Sequence, residues 1–199
     1  MMQAEAVIQL LVTNLVFSVK IAPLVVVIAT MVRATLLLTG RRRAIVSWTR
    51  NTLLSLATIV FLPGMIINTG VRYAVCSLFG IDLDGVGGGS TYAELNLFLK
   101  VDRPPRVAVL VSALYVSTVA SVFIGFSLFF LPVVLLAGAP VILLCWYMAL
   151  CVLLNSSLRG GDVSLLGAAL QGHPGRGIAE LFLALAVLVV FYAFVGIGV

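Results

Sequence analysis

Charge is what this chain lacks most. Seven acidic and twelve basic side chains are spread over 199 positions, so 10% of residues are charged, whereas a water-soluble domain carries roughly 25%. Lysine is confined to Lys20 and Lys100, so the net charge of +5 is mostly arginine. These few bases stand between apolar runs, a pattern that reads as membrane topology and lipid headgroup contact. No nucleic-acid partner is expected. Histidine occurs once, as His173 in a Gly/Pro loop. One histidine cannot build a typical catalytic zinc site, which takes three protein ligands, often including two or more histidines. Cys76, Cys145 and Cys151 lie in apolar runs with no C-x-x-C pair. That excludes a disulfide framework and leaves them as small apolar filler. Gly85–Gly89 is rich in glycine but lacks the lysine and the following helix, so it is weak as a phosphate cradle. No cofactor and no metal are expected.

Apolar residues are abundant. They make up 62% of the chain, and the mean hydropathy is +1.24. The solvent for so much apolar surface is lipid, and each crossing takes about 20 apolar residues. The expected fold is an all-α integral membrane protein with five transmembrane helices (six as the alternative). The approximate spans are 5–38, 52–79, 106–130, 133–154 and 178–197, in a single polytopic domain over 1–199. No internal repeat supports an inverted-repeat transporter.

The first apolar run is interrupted by Lys20 and Pro23. A single kinked or tilted helix is expected, with an interfacial helix before a span near 21–38 as the alternative. The run has Glu5 where a signal peptide carries early bases, so it is expected to stay in the mature protein. Arg41, Arg42, Arg43 and Arg50 form the densest charge cluster, with Trp48 as an interfacial anchor. By the positive-inside rule the loop 40–50 is expected to be cytoplasmic, on a multi-pass protein of the cell membrane. Lipid phosphate is the expected contact there, and an acidic partner the sharper alternative. In residues 94–100, Glu94, Asn96 and Phe98 alternate with Leu95, Leu97 and Leu99. A period of two predicts a short strand or hairpin near 90–100. Pro104-Pro105 then launches the next helix.

Residues 106–154 are almost wholly apolar, and Pro132, Gly138 and Pro140 divide them into two helices. Ser112, Ala113, Ser117, Thr118, Ala120 and Ser121 predict a close-packing face on the first. Val163–Leu170 predicts a short helix with Asp162 or Gly161 near its N-cap. Glu180 stands at the start of the last span, favourably placed for its dipole.

The second span carries the candidate site. Pro63-Gly64 falls in its middle, and Asn68, Thr69 and Arg72 follow on one helix face. An arginine at membrane depth needs an acceptor. Asp82, Asp84, Glu94 and Asp162 are the candidate ion-pair partners. The alternative is an Arg72 that snorkels to headgroups.

The run from Pro63 to Ile81 resembles the helix of the site-2-type (M50-like) membrane metalloproteases, in which an apolar helix bears H-E-x-x-H and ends at a glycine. The glycine-rich, strand-like stretch Gly87–Leu99 resembles the membrane-edge segment of that family. The resemblance implies an acidic third ligand on a later helix, with Asp162 as the counterpart. This chain departs where the chemistry lies: Asn68 and Arg72 replace the two histidines, and Thr69 replaces the glutamate. That chemistry needs two imidazoles one turn apart and a general base. What the resemblance implies is a degenerate relative that has lost protease activity. The expected function is a non-catalytic membrane scaffold or accessory subunit of a larger complex, a protease-like pseudoenzyme partnered by lipid and other membrane subunits. A transporter or channel component with broken helices lining a cavity is the alternative, and an active intramembrane hydrolase ranks last.

Overall fold

The computed structural model describes residues 2–39, 42–45, 48–51, 56, 59–91, 94–101, 105–157, 160–172 and 174–197. Among them the chain is mainly helical, with six helices and two hairpins. In order these are α1 (Met2–Thr39), β1 (Arg42–Ile45), β2 (Trp48–Asn51), α2 (Leu62–Leu78), β3 (Leu83–Thr91), β4 (Glu94–Val101), α3 (Val107–Val134), α4 (Ala139–Leu154), α5 (Gly160–Gly172) and α6 (Pro174–Ile197). Among the described residues three helices are long and apolar enough to cross a membrane, over Glu5–Thr35, Val107–Val134 and Pro174–Val195. Ala139–Leu154 is apolar but shorter.

The first run forms one helix with Pro23 inside it. The 106–154 stretch divides between Val134 and Ala139. Pro63 differs from expectation. It stands in the first turn of α2, not mid-helix, where its missing N–H has no helical acceptor to lose. The loop expected at 40–50 differs too. It contains an antiparallel hairpin whose register sets Arg43 opposite Arg50 and Ile45 opposite Trp48. The strand near 90–100 is β4, antiparallel to β3 with Gly87 opposite Phe98 and Thr91 opposite Glu94.

The centre of the fold is α3, which packs against α1, α2, α4, α5 and α6. Most of its expected small-residue face is buried: Ala113, Ser117, Thr118 and Ser121 are buried, Ala120 is half-buried, and Ser112 turns outward. One apolar cluster joins Val75, Cys76, Ile81 and Ala113, and a second joins Val107, Leu110 and Ala169. The first turn of α3 has no side-chain cap of its own. Glu180 of α6 supplies one, accepting the Ala108 N–H at 3.3 Å. Glu180 lies beyond the first turn of α6, so the helix end it serves is that of α3.

Two helices end in the same way. Beyond α2, the Gly80 N–H reaches Ser77 O and the Ile81 N–H reaches Cys76 O, both at 3.0 Å. Beyond α3, the Leu136 N–H reaches Val133 O at 3.1 Å and the Ala137 N–H reaches Pro132 O at 2.9 Å. This paired closure needs a left-handed residue just past the cap. Gly80 fills it at φ 68°, and Leu136 fills the other at φ 52°.

Candidate functional site

The α2 face is built by a close helix crossing. A Cβ added at Gly64 would lie 2.0 Å from the Cys151 carbonyl oxygen of α4, so only glycine permits this approach. One turn on, Asn68 Nδ2 donates to Val152 O at 2.9 Å. That carbonyl also accepts from Ser156 Oγ at 3.0 Å. The Asn68 Oδ1 is buried and has no donor. The Thr69 hydroxyl turns back to its own helix and donates to Met65 O at 2.8 Å.

Arg72 completes the face. Its Nη1 donates to both oxygens of Asp162, at 2.8 and 2.6 Å, and its Nη2 donates to Ser157 O at 3.1 Å. Both partners are largely shielded, with side-chain exposures of 10% for Arg72 and 14% for Asp162. A second guanidinium joins from α1, where Arg33 Nη1 donates to Ser157 Oγ at 3.0 Å. Ser157, itself fully buried, therefore receives both arginines, one at its hydroxyl and one at its carbonyl. The centre ties α1, α2, α5 and the end of α4 together.

Of the four carboxylates named as candidates, Asp162 is the one on Arg72. It lies in the first turn of α5, which begins at Gly160, rather than at the cap. There its charge faces both the helix N-terminus and the guanidinium. Asp82 and Asp84 are exposed past the end of α2. Glu94 begins β4, the strand that packs on α2 and α5. Arg42, Arg43, Trp48 and Arg50 sit on the β1–β2 hairpin; Arg41 and His173 fall outside the described residues. Cys76, Cys145 and Cys151 are free thiols.

Sequence reasoning passed over Arg33, Ser156 and Ser157. Arg33 had a signal, a fixed charge inside an apolar helix, which is the same anomaly that drew attention to Arg72. The serines had none, because their role depends on where α4 ends.

A zinc ion of the kind the resemblance implies does not fit this face. The Arg72 guanidinium holds the carboxylate that a metal would need, and the Thr69 hydroxyl is engaged with Met65. Among the described residues no three His, Cys, Asp or Glu side chains converge. No protein-family model, curated protein or solved structure matches the chain.

Proposed function

We propose that this chain is a multi-pass membrane protein acting as a non-catalytic scaffold or accessory subunit of a larger membrane complex. The observation that carries the reading is the Arg72–Asp162 pair, held with Ser157 and Arg33 at the meeting point of four helical segments. Charge inside an apolar bundle is costly and is retained where it has a task. Here the hydrogen-bonding groups that line the centre are taken up within the chain, the Asn68 Oδ1 apart. Arg72 ties helix to helix, Thr69 bonds its own turn, and Asn68 reaches a neighbouring carbonyl. That is the behaviour of a structural lock, not of groups poised for a substrate.

The same arrangement supports descent from an M50-like protease frame. In this reading Asp162, on a later helix, is the counterpart of that family's acidic ligand, and the Arg72 cation would take the metal's place. The membrane reading is supported by the outward faces of α1, α4 and α6. Met31, Leu143, Phe182 and Phe194 are each more than 60% exposed, a surface that water does not favour. The cytoplasmic side of the hairpin follows from the arginines at 42, 43 and 50 through the positive-inside rule.

Native electrophoresis of gently solubilised membranes tests the proposal. A scaffold subunit migrates within a larger assembly, and mass spectrometry of that band names its partners. Migration as a lone 21.1 kDa species refutes it.

A further inference from the structure

We infer that α1 is a hinged helix held closed by α6, with the Tyr192 hydroxyl standing in for the backbone N–H that Pro23 lacks. A proline inside a helix leaves the carbonyl four residues earlier without its donor. For Pro23 that carbonyl belongs to Val19. In hydrocarbon such a group has no water to turn to and must be satisfied by protein. Tyr192 Oη donates to Val19 O at 2.9 Å. Tyr115 of α3 in turn donates to Tyr192 Oη at 3.1 Å. This second bond fills a lone pair on the Tyr192 oxygen and commits its proton to Val19. The two rings meet edge-on at 6.1 Å, which fixes the hydroxyl's direction.

The position of the gap gives it a mechanical meaning. The half of α1 before Pro23 is fastened to α3. Asn14 Nδ2 donates to Ser127 Oγ at 2.8 Å and to Phe123 O at 3.3 Å, and Phe17 packs edge-on against Phe126. The half after Pro23 is fastened at the buried ion centre, through Arg33 to Ser157. Pro23 lies between the two fastenings, at the point where a helix bends most readily. α6 packs chiefly on α3 and only lightly on α1, so the tyrosine contact is its main hold on the hinge. Withdrawal of Tyr192 frees Val19, lets α1 bend, and moves Arg33 relative to Arg72 and Asp162. A ligand or subunit that shifts α6 thereby reaches the ion centre without touching it. The latch lies apart from the Arg72 face, and it stands whether or not the chain is an accessory subunit.

A double-mutant cycle on the full chain in lipid nanodiscs tests this. Tyr192→Phe removes the donor, and Pro23→Ala gives residue 23 its own N–H for Val19. Tyr192→Phe is expected to lower the unfolding midpoint by roughly 2–4 °C, the shift one lost hydrogen bond gives in a domain of this size. The same change made in a Pro23→Ala background is expected to cost much less. Spin labels at Val12→Cys and Val32→Cys, both exposed, report the bend once the partly exposed Cys145 is changed to alanine. The label distance is expected to broaden in Tyr192→Phe and to narrow again in the double variant. If Tyr192→Phe alone does not fold, the Pro23→Ala/Tyr192→Phe protein is expected to. Equal midpoint losses in both backgrounds, an unchanged distance distribution, or a double variant that still fails to fold overturns the inference.

Discussion

Removing one partner of the Arg72–Asp162 pair is expected to hurt far more than removing both. At effective dielectrics near 20, two unit charges 4 Å apart attract by about 4 kcal/mol, and these two touch at 2.6 Å with about a tenth of each side chain exposed. The attraction offsets the desolvation of both ions. Arg72→Leu removes the guanidinium from which both Asp162 oxygens accept, and Asp162→Leu strands a guanidinium that keeps only the Ser157 carbonyl among its bonds described above. Each single change is expected to cost about 3–5 kcal/mol, the range for breaking a buried pair, while replacement of both by apolar groups is expected to cost much less. At 2–4 °C per kcal/mol for a chain of this size, the single variants lose on the order of 10 °C and the double variant recovers most of it. Thermal unfolding of the four proteins in one detergent, followed by circular dichroism, measures the coupling. Single variants within about 1 kcal/mol of wild type, the scale of a solvated pair, would refute a buried lock. So would a double variant whose loss equals the sum of the singles.

Three further outcomes follow from the packing. Gly64→Ala forces a methyl onto the Cys151 carbonyl at 2.0 Å. It is expected to cost about 3 kcal/mol or more, at or beyond the upper end for overpacking, whereas Gly125→Ala meets the Leu153 side chain at 2.7 Å and the Ala149 carbonyl at an ordinary 3.6 Å and costs less in the same melt. Leu136→Gly relieves a left-handed residue at φ 52° and is expected to stabilise by up to about 1 kcal/mol; a lower midpoint rejects the strain argument. Asn68→Leu removes a buried oxygen that has no donor, and Val152 O keeps the Ser156 hydroxyl. It is expected to stay within about 1 kcal/mol of wild type, and a loss of several would show Asn68 to be a necessary tie between α2 and α4.

Local periodicity reached some of these features and long-range packing hid the rest. The alternation from Glu94 to Lys100 announces β4, and the spacing of Asn68, Thr69 and Arg72 announces a shared face, because both are short-range geometry. The choice of Asp162 over Asp82, Asp84 and Glu94 depends on how α5 docks 90 residues away from Arg72, and spacing along the chain holds nothing about that. Pro63 reads as a mid-span break because the residues before it are as apolar as those after it, and hydropathy does not mark where a helix begins. The β1–β2 hairpin lacks an alternating signal, so its arginines read as a loop. Glu180 was legible as a helix-end charge, but the helix it serves lies across the bundle.

The unequal helix lengths bear on the bilayer itself. At 1.5 Å per residue, α4 is about 24 Å long and α3 about 42 Å, against a hydrocarbon thickness of about 30 Å. An embedded α4, with Leu143, Leu144 and Leu150 facing outward, would be shorter than the film it faces, a mismatch that local thinning of the lipid relieves. Thinning there lowers the headgroups toward Ser156, Ser157 and the ion pair they flank. In the proposed membrane setting the protein would then be a local defect in the bilayer. It is expected to be most stable in vesicles of shorter-chain lipid, with the midpoint falling as acyl length grows.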